Sequence, residues 1–362
     1  MGLVGDALDD GARRSQERAR IDRGRRACRR RRGGTDGRVN LAFLFPGQGA
    51  QAVGMGAALA ERHPVARHVF ERADRALGYR LSDLCWKGPA EELTKTVHAQ
   101  PALLTHSIAA YRLLEDAGIR PRWVAGHSLG EYSACVAAGA LDFEDAVRLV
   151  HRRGELMYQA GLERPGTMAA ILGLDAERVA EACARAAERG IVTPANLNAP
   201  EQIVISGERA AVERACELAR ELGAKRAIVL TVSGAFHSPL MSPASAGLAE
   251  ALAGVSVLDA KVPVIANVSA EPLRRGAEIR AALERQLLGA VRWEDSMRRL
   301  VALGAQGFVE VGTGTVLRGL LRSLDKAIAS WDVGDPESFE KTVAALGDGA
   351  AAPSAGARAE GA

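Results

Sequence analysis

The chain has 362 residues, of which 48% are hydrophobic, 25% charged and 4% aromatic, so a soluble α/β protein with one large and one smaller domain and an aliphatic core is expected. No segment approaches the length of an apolar membrane span, which excludes a helical integral membrane protein. The five cysteines are an odd number without paired spacing, which excludes a disulfide-stabilised frame or a zinc site and favours reduced thiols in the cytoplasm.

The charge is distributed unevenly along the chain. Residues 1–38 hold 12 Arg and 6 Asp or Glu, a balance of +6, which leaves −3 for the rest of a chain whose net charge is +3. The mildly acidic remainder argues against general nucleic-acid binding. Residues 1–38, which we call the leader, have few large apolar side chains, so we predict that this segment is disordered. Its arginine run at 29–32 is typical of a nucleic-acid or localisation patch, or of a solvated tail, the interpretation that we favour.

Ordered structure is predicted to begin at residue 39. The apolar run Leu41–Phe45 is typical of a buried parallel strand. It ends at the PGQG sequence of residues 46–49, which indicates either an ordinary turn or a source of a backbone N–H at the carboxyl end of the sheet. Helical periodicity follows from Met55 to Leu77, and Pro101 suits the first residue of a helix that extends through Leu114.

Residues 123–138 predict a strand, a sharp turn and a helix, with Ser128 at the apex. The GHSLG sequence at 126–130 has the Gly-x-Ser-x-Gly pattern, in which the glycines remove side chains that would collide with the strand and the helix. The serine hydroxyl then lies above the sheet edge, and the N–H groups that open the helix face the same point. Ser128 is therefore the candidate nucleophile.

The next segments predict a capped helix and then a separate small domain. Asp142 is a suitable N-cap for a helix to about Gln159, and one of the neighbouring Arg152 and Arg153 is placed to turn inward. Residues 166–232 have the order β-α-β-β-α-β of a ferredoxin-like unit, inserted in a large domain formed by residues 39–165 and 233–345. Residues 346–362 are rich in Ala and Gly and are predicted to be a disordered tail.

A serine nucleophile needs a base within hydrogen-bond reach. Of the seven histidines, His237 is the best candidate, because it lies in a Gly-rich turn after a buried strand. The strand, turn and helix around Ser128 form what we call the serine elbow. A hydrolase with such an elbow also needs an Asp or Glu at a strand end between the serine and the histidine. The aspartates in that interval, Asp142, Asp145 and Asp175, suit helix starts instead. The sequence therefore lacks the usual third member of a triad.

Eight short motifs occur in one order between about residue 40 and residue 325. They are FPGQGAQ (45–51), QPALL (100–104), GHSLGE (126–131), RRGELM (152–157), NLNAP (196–200), GAFHSPLM (234–241), RQLLGAVRW (285–293) and EVGTG (310–314). Together they resemble the malonyl-CoA:acyl carrier protein transacylase family. The resemblance implies an α/β-hydrolase-like large domain with a mostly parallel sheet and ping-pong transfer of a malonyl group, in fatty-acid or polyketide biosynthesis, without a metal or bound cofactor.

The resemblance also implies roles for individual residues. Ser128 would carry the malonyl group as an ester, and His237 would be its base and later its acid. The backbone carbonyl of Gln286 would orient the histidine in place of a carboxylate, which explains the absent acid. The backbone N–H groups of Gln48 and Leu129 would form the oxyanion hole.

Substrate selection is expected to depend on Arg153. A guanidinium binds a free carboxylate through two parallel hydrogen bonds, so acyl groups that end in a carboxylate should be favoured over acetyl. Phe236 and Leu129 resemble the malonyl-selecting type, although a substituent methyl is worth about 1 to 3 kcal/mol of discrimination. Asn196 and Asn198 either line the cleft from the small domain or form turns.

The expected partners are malonyl-CoA and an acyl carrier protein, with a polyketide synthase as a further candidate, and neither nucleic acid nor a membrane. Three alternatives remain open. A serine hydrolase or thioesterase would clear the acyl-serine with water and would not need Arg153. A transferase for a substituted malonyl unit would share the whole site. A non-catalytic docking protein would keep the fold without needing Ser128.

Overall fold

The computed structural model describes residues 39–347. The leader predicted for residues 1–38 and the tail beyond residue 347 lie outside this range. The strands are β1 (Leu41–Phe45), β2 (Trp123–Gly126), β3 (Thr167–Leu172), β4 (Val192–Ala199), β5 (Gln202–Gly207), β6 (Arg226–Val229), β7 (Val264–Ile265), β8 (Pro272–Leu273), β9 (Gly307–Val311) and β10 (Ala329–Val333).

The helices surround and connect these strands. They are α1 (Ala57–Arg62), α2 (Pro64–Leu77), α3 (Leu81–Lys87), α4 (Ala90–Thr94), α5 (Thr96–Asp116), α6 (Gly130–Ala137), α7 (Phe143–Glu163), α8 (Ala176–Ala186), α9 (Arg209–Glu221), α10 (Ser242–Ala253), α11 (Gly276–Gln286), α12 (Trp293–Ala302), α13 (Val316–Leu324) and α14 (Pro336–Leu346). Across residues 39–347, no helix combines the length and the apolar character that a membrane crossing requires.

The larger sheet has the strand order β10-β9-β1-β2-β7-β8. Its first five strands are parallel, and β8 pairs with β7 in the antiparallel sense. The predicted strand Leu41–Phe45 is buried at every residue in the middle of this sheet. Because Phe45 pairs with Gly126 at the last register position of β1 and β2, the PGQG turn and the serine elbow leave the sheet side by side.

The smaller sheet is antiparallel and has the order β4-β5-β3-β6. With α8 and α9 between its strands, this is the order of the predicted ferredoxin-like unit. The sheet adjoins the larger part through β4, since Leu197 N donates to Val291 O at 2.9 Å and Val291 N to Ala195 O at 2.8 Å. The last strand ends at Val229, which leaves residues 230–232 in a loop, although the sequence predicted a strand through residue 232.

The prediction that a helix begins at Pro101 is wrong, because α5 begins at Thr96 and includes that proline. A bond from Ala99 N to Lys95 O, 2.8 Å long, closes the first turn before the proline. The missing N–H therefore costs one hydrogen bond early in a helix whose stability comes from burial of nearly its whole length. Next to it, a Cβ on Gly154 of α7 would lie 2.8 Å from Thr96 O, so glycine there allows the two helices to approach closely.

Helix α7 orients two neighbouring arginines in opposite directions. Its N-terminus is capped as predicted, with Asp142 accepting from Asp145 N at 3.2 Å. Arg153 is 1% exposed and turns inward. Arg152 bonds to Glu155 at 2.9 Å at the surface, with 54% of its side chain exposed. The inward direction of Arg153 places a cation beneath the serine elbow.

Candidate active site

The turn after β2 holds Ser128 in a strained conformation. Its φ is +49°, in the left-handed region that L-residues other than glycine rarely adopt. A Cβ on Gly126 would overlap the Gly130 carbonyl, and one on Gly130 would overlap the carbonyl of Phe45. Both glycines are therefore required for the close approach of β1, β2 and α6, as the Gly-x-Ser-x-Gly pattern predicts.

Ser128 and His237 are in direct hydrogen-bond contact. Ser128 Oγ lies 2.7 Å from His237 Nε2. On the other side of the ring, His237 Nδ1 lies 2.9 Å from Gln286 O and 3.2 Å from Gly289 O. Because carbonyl oxygens only accept, Nδ1 carries the proton, and Nε2 accepts from the serine hydroxyl. This arrangement fits the role that the resemblance implies for the Gln286 carbonyl.

The imidazole of His237 is held in its neutral form. Burial lowers its pKa to about 3, and the nearby charge of Arg153 acts in the same direction, against the carbonyls of Gln286 and Gly289. The folded protein at neutral pH therefore presents an unprotonated Nε2 to the serine. Such a nitrogen is available to take a proton from the hydroxyl.

Arg153 is fixed by neutral amides on both sides. Its Nη1 donates to Gln100 Oε1 at 2.8 Å, and its Nη2 to Gln286 Oε1 at 3.0 Å. Nη2 also lies 3.3 Å from Ser128 Oγ. Burial lowers the pKa of the guanidinium, while Tyr132 and Glu131 raise it. The result is a cation at the nucleophile that makes no direct salt bridge among the described residues.

A cavity of about 250 Å³ opens at Ser128. Seven of the predicted site residues line it, namely Gln48, Ser128, Leu129, Arg153, Asn196, Phe236 and His237. Loop residues 230–232 and His127 complete much of the wall. The site brings together residues from the smaller sheet, from α7 and from the turns that follow β1 and β2 of the larger sheet.

Two predicted site residues do not line this cavity. Gln286 is buried at the end of α11, where its side chain and carbonyl contact Arg153 and His237. Asn198 lies 2.8 Å from His127 Nε2 through its Oδ1. Asn196 and Asn198 both belong to the extended strand β4, so neither forms the turn that the sequence allowed.

The backbone amides expected to bind an oxyanion are available. Gln48 and Leu129 line the cavity next to Ser128, and within residues 39–347 neither backbone N–H takes part in a hydrogen bond. The side chain of Gln48 donates to Thr96 Oγ1 at 3.1 Å, which ties the PGQG turn to the start of α5. These donors are therefore free to bind a charge that develops near the serine.

The comparisons with known proteins cover most of the chain. An acyl transferase domain model matches residues 42–333. The malonyl CoA-acyl carrier protein transacylase of Bacillus subtilis (strain 168) is 51% identical over 307 residues, or 84% of this chain and 97% of that protein. This chain belongs to the malonyl-CoA:acyl carrier protein transacylase family.

Solved structures of transferases agree with this assignment. The crystal structure of an acyl carrier protein S-malonyltransferase from Vibrio cholerae is 44% identical, with a TM-score of 0.82 over 84% of this chain and 99% of that chain. A malonyl-transacylase in complex with its type II polyketide synthase acyl-carrier protein is 43% identical, with a TM-score of 0.82 over 85% and 99% of the two chains.

Sequence reasoning missed three residues that surround the transferase site. Gln100 holds Arg153, and Asn267 contacts the main chain of the elbow. Glu131 accepts from Gln286 Nε2 at 2.6 Å, and burial raises its pKa to about 7 against that hydrogen bond. Each carried a usable signal, since Gln100 interrupts an apolar helical run, Glu131 closes the GHSLGE motif and Asn267 follows a buried strand. No cluster of three or more potential metal-ligating side chains lies among the residues described here.

Proposed function

We propose that this transferase moves a malonyl group from malonyl-CoA to Ser128 and then to the phosphopantetheine thiol of an acyl carrier protein. The observation that carries the proposal is the convergence of three groups on one cavity. A base lies 2.7 Å and a buried guanidinium 3.3 Å from the same serine oxygen. The family of the chain and the names of its relatives support the same reaction.

In the first half-reaction, Ser128 Oγ attacks the thioester carbonyl while its proton passes to His237 Nε2. The oxyanion that forms accepts hydrogen bonds from the backbone N–H groups of Gln48 and Leu129. The carbonyls of Gln286 and Gly289 stabilise the imidazolium through Nδ1–H. The C–S bond then breaks, and Nε2 returns the proton to the sulfur of coenzyme A.

The second half-reaction runs through the same atoms in reverse. The thiol of the carrier protein gives its proton to His237 Nε2 and attacks the ester carbonyl. The C–O bond to Ser128 breaks, and the serine oxygen takes the proton back. The carrier as second substrate is supported by the relative solved in complex with its type II polyketide synthase carrier protein; fatty-acid and polyketide synthesis both supply such carriers.

Arg153 selects the acyl group in this proposal. A malonyl carboxylate displaces the contact with Ser128 Oγ and accepts charge-assisted hydrogen bonds from the guanidinium. An acetyl group leaves that buried cation without a partner. Phe236, which lines the cavity beside the base, limits substituents on the malonyl α-carbon. Asn196 also lines the cavity, and Asn198 contacts His127, a further lining residue.

We also propose a cytoplasmic enzyme that is divided as the sequence predicts, into a large domain of residues 39–165 and 233–345 and a small domain of residues 166–232. The four described cysteines, Cys85, Cys135, Cys183 and Cys216, are free and buried. Burial raises the pKa of the Cys85 thiol to about 12, which keeps it protonated and inert. The two sheets support the division of the chain.

The proposed reaction is tested by incubating the protein with radiolabelled malonyl-CoA in the absence of carrier protein. A labelled enzyme should accumulate and then discharge onto an added holo acyl carrier protein. The Ser128→Ala variant should remain unlabelled. Release of free malonate without a lasting acyl-enzyme would overturn the proposal and identify a hydrolase instead.

A further inference from the structure

Asn267 lies directly behind the nucleophile and contacts its main chain. The residue is 1% exposed and follows β7 by two positions. Its Oδ1 accepts from Ser128 N at 2.8 Å, and its Nδ2 donates to Gly126 O at 2.7 Å. Both bonds bracket the turn at which the chain leaves the sheet.

These two bonds continue the ladder of the sheet beyond its last residue pair. Strands β2 and β7 pair through Ala125 and Ile265, and past that point the main chain of β2 turns into the elbow. There the side-chain amide of Asn267 takes the place of a neighbouring strand. A part-buried main-chain N–H and a buried C=O that would otherwise lose their partners are thereby satisfied.

Asn267 is itself held in place on both sides. Its backbone N donates to Glu131 Oε2 at 3.3 Å, and its backbone O accepts from Arg292 N at 2.9 Å. The backbone of Asn267, from which the side-chain amide projects, is therefore held by residues other than the serine that it supports. Residues with strained backbones keep their conformation when their surroundings fix it in this way.

The chemistry of the contact requires an amide. One planar group has to donate to Gly126 O and accept from Ser128 N, which a carboxylate or an aliphatic side chain of similar size does not do. If the elbow relaxed, Ser128 Oγ would leave its position 2.7 Å from His237 Nε2, and the peptide that carries the Leu129 N–H would rotate with it.

We propose that Asn267 is a positioning residue for malonyl transfer, which holds the Ser128 main chain in the left-handed conformation that aims Oγ at His237. The inference rests on the proposed function. Asn267 does not line the cavity. Its two short side-chain bonds are with the main chain around Ser128, and Gln286 Nε2 is more distant from its Oδ1, at 3.4 Å, so Asn267 acts mainly through the serine. A loss of positioning lowers kcat and leaves the binding of the malonyl carboxylate at Arg153 unchanged.

The test compares Asn267→Asp with a matched control, Asn40→Asp. Asn40 lies just before β1, at the opposite end of the sheet, and its Oδ1 accepts from Arg122 at 3.1 Å. Malonyl transfer by both variants and by the unmodified protein is measured from about pH 5 to pH 9 as separate kcat and KM values. Labelling of Ser128 by an alkyl fluorophosphonate is measured over the same range, because it reports serine reactivity without malonyl-CoA.

An ionised carboxyl at position 267 presents an oxygen to Gly126 O, whereas a protonated one restores the donor. Burial raises the pKa of a carboxyl, so activity should fall as pH rises through the assay range. We expect a loss of kcat of roughly 100-fold at the alkaline end, a KM for malonyl-CoA within about twofold of the unmodified protein, and recovery towards acid pH. The rate of fluorophosphonate labelling should fall over the same pH range.

Glu131 from α6 contacts residue 267 directly, through the backbone N of Asn267. The other titratable or charged groups around the elbow are Arg153 from α7 and His237, which contact Ser128 Oγ, and His127, which precedes Ser128 in the turn. They are present in the unmodified protein and in Asn40→Asp, so a pH dependence that is found solely in Asn267→Asp arises from the new carboxyl, either directly or through the coupled titration of Glu131 beside it. An Asn267→Asp profile parallel to that of the control, or an equal loss at every pH together with a lower melting temperature, would overturn the inference. If the unmodified protein is labelled by the fluorophosphonate but transfers no malonyl group, the proposed function is refuted instead.

Discussion

Replacing Arg153 with alanine tests substrate selection most directly. The guanidinium is buried, its terminal nitrogens are fixed by Gln100 and Gln286, and it lies 3.3 Å from Ser128 Oγ. Without it, the malonyl carboxylate enters a cavity whose described lining offers it no other Lys or Arg. Leaving one partner of a buried charge pair uncompensated costs about 3 to 5 kcal/mol. Since each 1.36 kcal/mol is a factor of ten in rate, kcat/KM for malonyl-CoA should fall roughly 150- to 5,000-fold.

The assay measures kcat/KM for malonyl-CoA and acetyl-CoA with the same carrier protein. Acetyl-CoA brings no carboxylate, so its transfer by Arg153→Ala should be preserved or improved. Arg152→Ala is the matched control, because this arginine precedes Arg153 on the same helix and pairs with Glu155 at the surface. Exposed ion pairs contribute about 0 to 1 kcal/mol, and the control should therefore transfer malonyl almost as well as the unmodified protein.

Malonyl kinetics of Arg153→Ala within about threefold of those of Arg152→Ala would refute this role for Arg153, because the smallest expected cost of an unpaired buried carboxylate exceeds that range. Equal losses with malonyl-CoA and acetyl-CoA would also contradict it. Such losses would indicate that Arg153 maintains the shape of the site and does not bind the substrate. Melting temperatures of both variants separate this case from unfolding.

Three further predictions follow from the same contacts. On acidification, kcat/KM should fall only well below pH 6.5, because burial lowers the pKa of His237 to about 3 and the protonated ring does not act as a base. A fall in kcat/KM centred near pH 6.5 would contradict a lowered pKa of His237. Phe236→Ala should raise the ratio of methylmalonyl to malonyl transfer by roughly 5- to 150-fold, since a methyl is worth about 1 to 3 kcal/mol, and competition between the two thioesters measures it. Burial raises the pKa of Glu131 from 4.5 to about 7, so the folded state binds more protons than the unfolded state between these values, and stability falls as pH rises through that window. Glu131→Gln should remove up to about 3 kcal/mol of this pH dependence. Denaturant unfolding at about pH 4.5 and pH 8 should then give a smaller difference in the free energy of unfolding than in the unmodified protein; an unchanged difference would count against a raised pKa of Glu131.

The sequence predicted the parts of the fold whose periodicity is simple. The apolar run of β1, the elbow at Ser128 and the β-α-β-β-α-β order of the small sheet are local patterns, and the structure contains them. The start of α5 was misplaced because a proline favours a first turn by local preference. Tertiary burial of the whole helix outweighed that preference.

The supporting residues of the site were not predictable in the same way. Ser128, His237 and Arg153 have reactive side chains in informative motifs, whereas Gln100 and Asn267 are neutral amides whose roles depend on neighbours more than 50 residues away. Likewise, the second carbonyl at His237 Nδ1 comes from Gly289, and a backbone oxygen leaves no trace in residue type. Such contacts are determined by how α7, α11 and β7 pack together.

The neutral partners of His237 connect substrate selection to catalysis. A carboxylate at Nδ1 would raise the basicity of the ring whatever acyl group is bound. In this site the ring has carbonyl partners, and the charge of Arg153 lowers its pKa further. A bound malonyl carboxylate offsets that charge, so Nε2 becomes a stronger base when the cavity holds a diacid thioester, whereas an acetyl group leaves the full field of Arg153 on the ring. We therefore predict that the same guanidinium favours malonyl twice, once in binding and once through the proton affinity of the base.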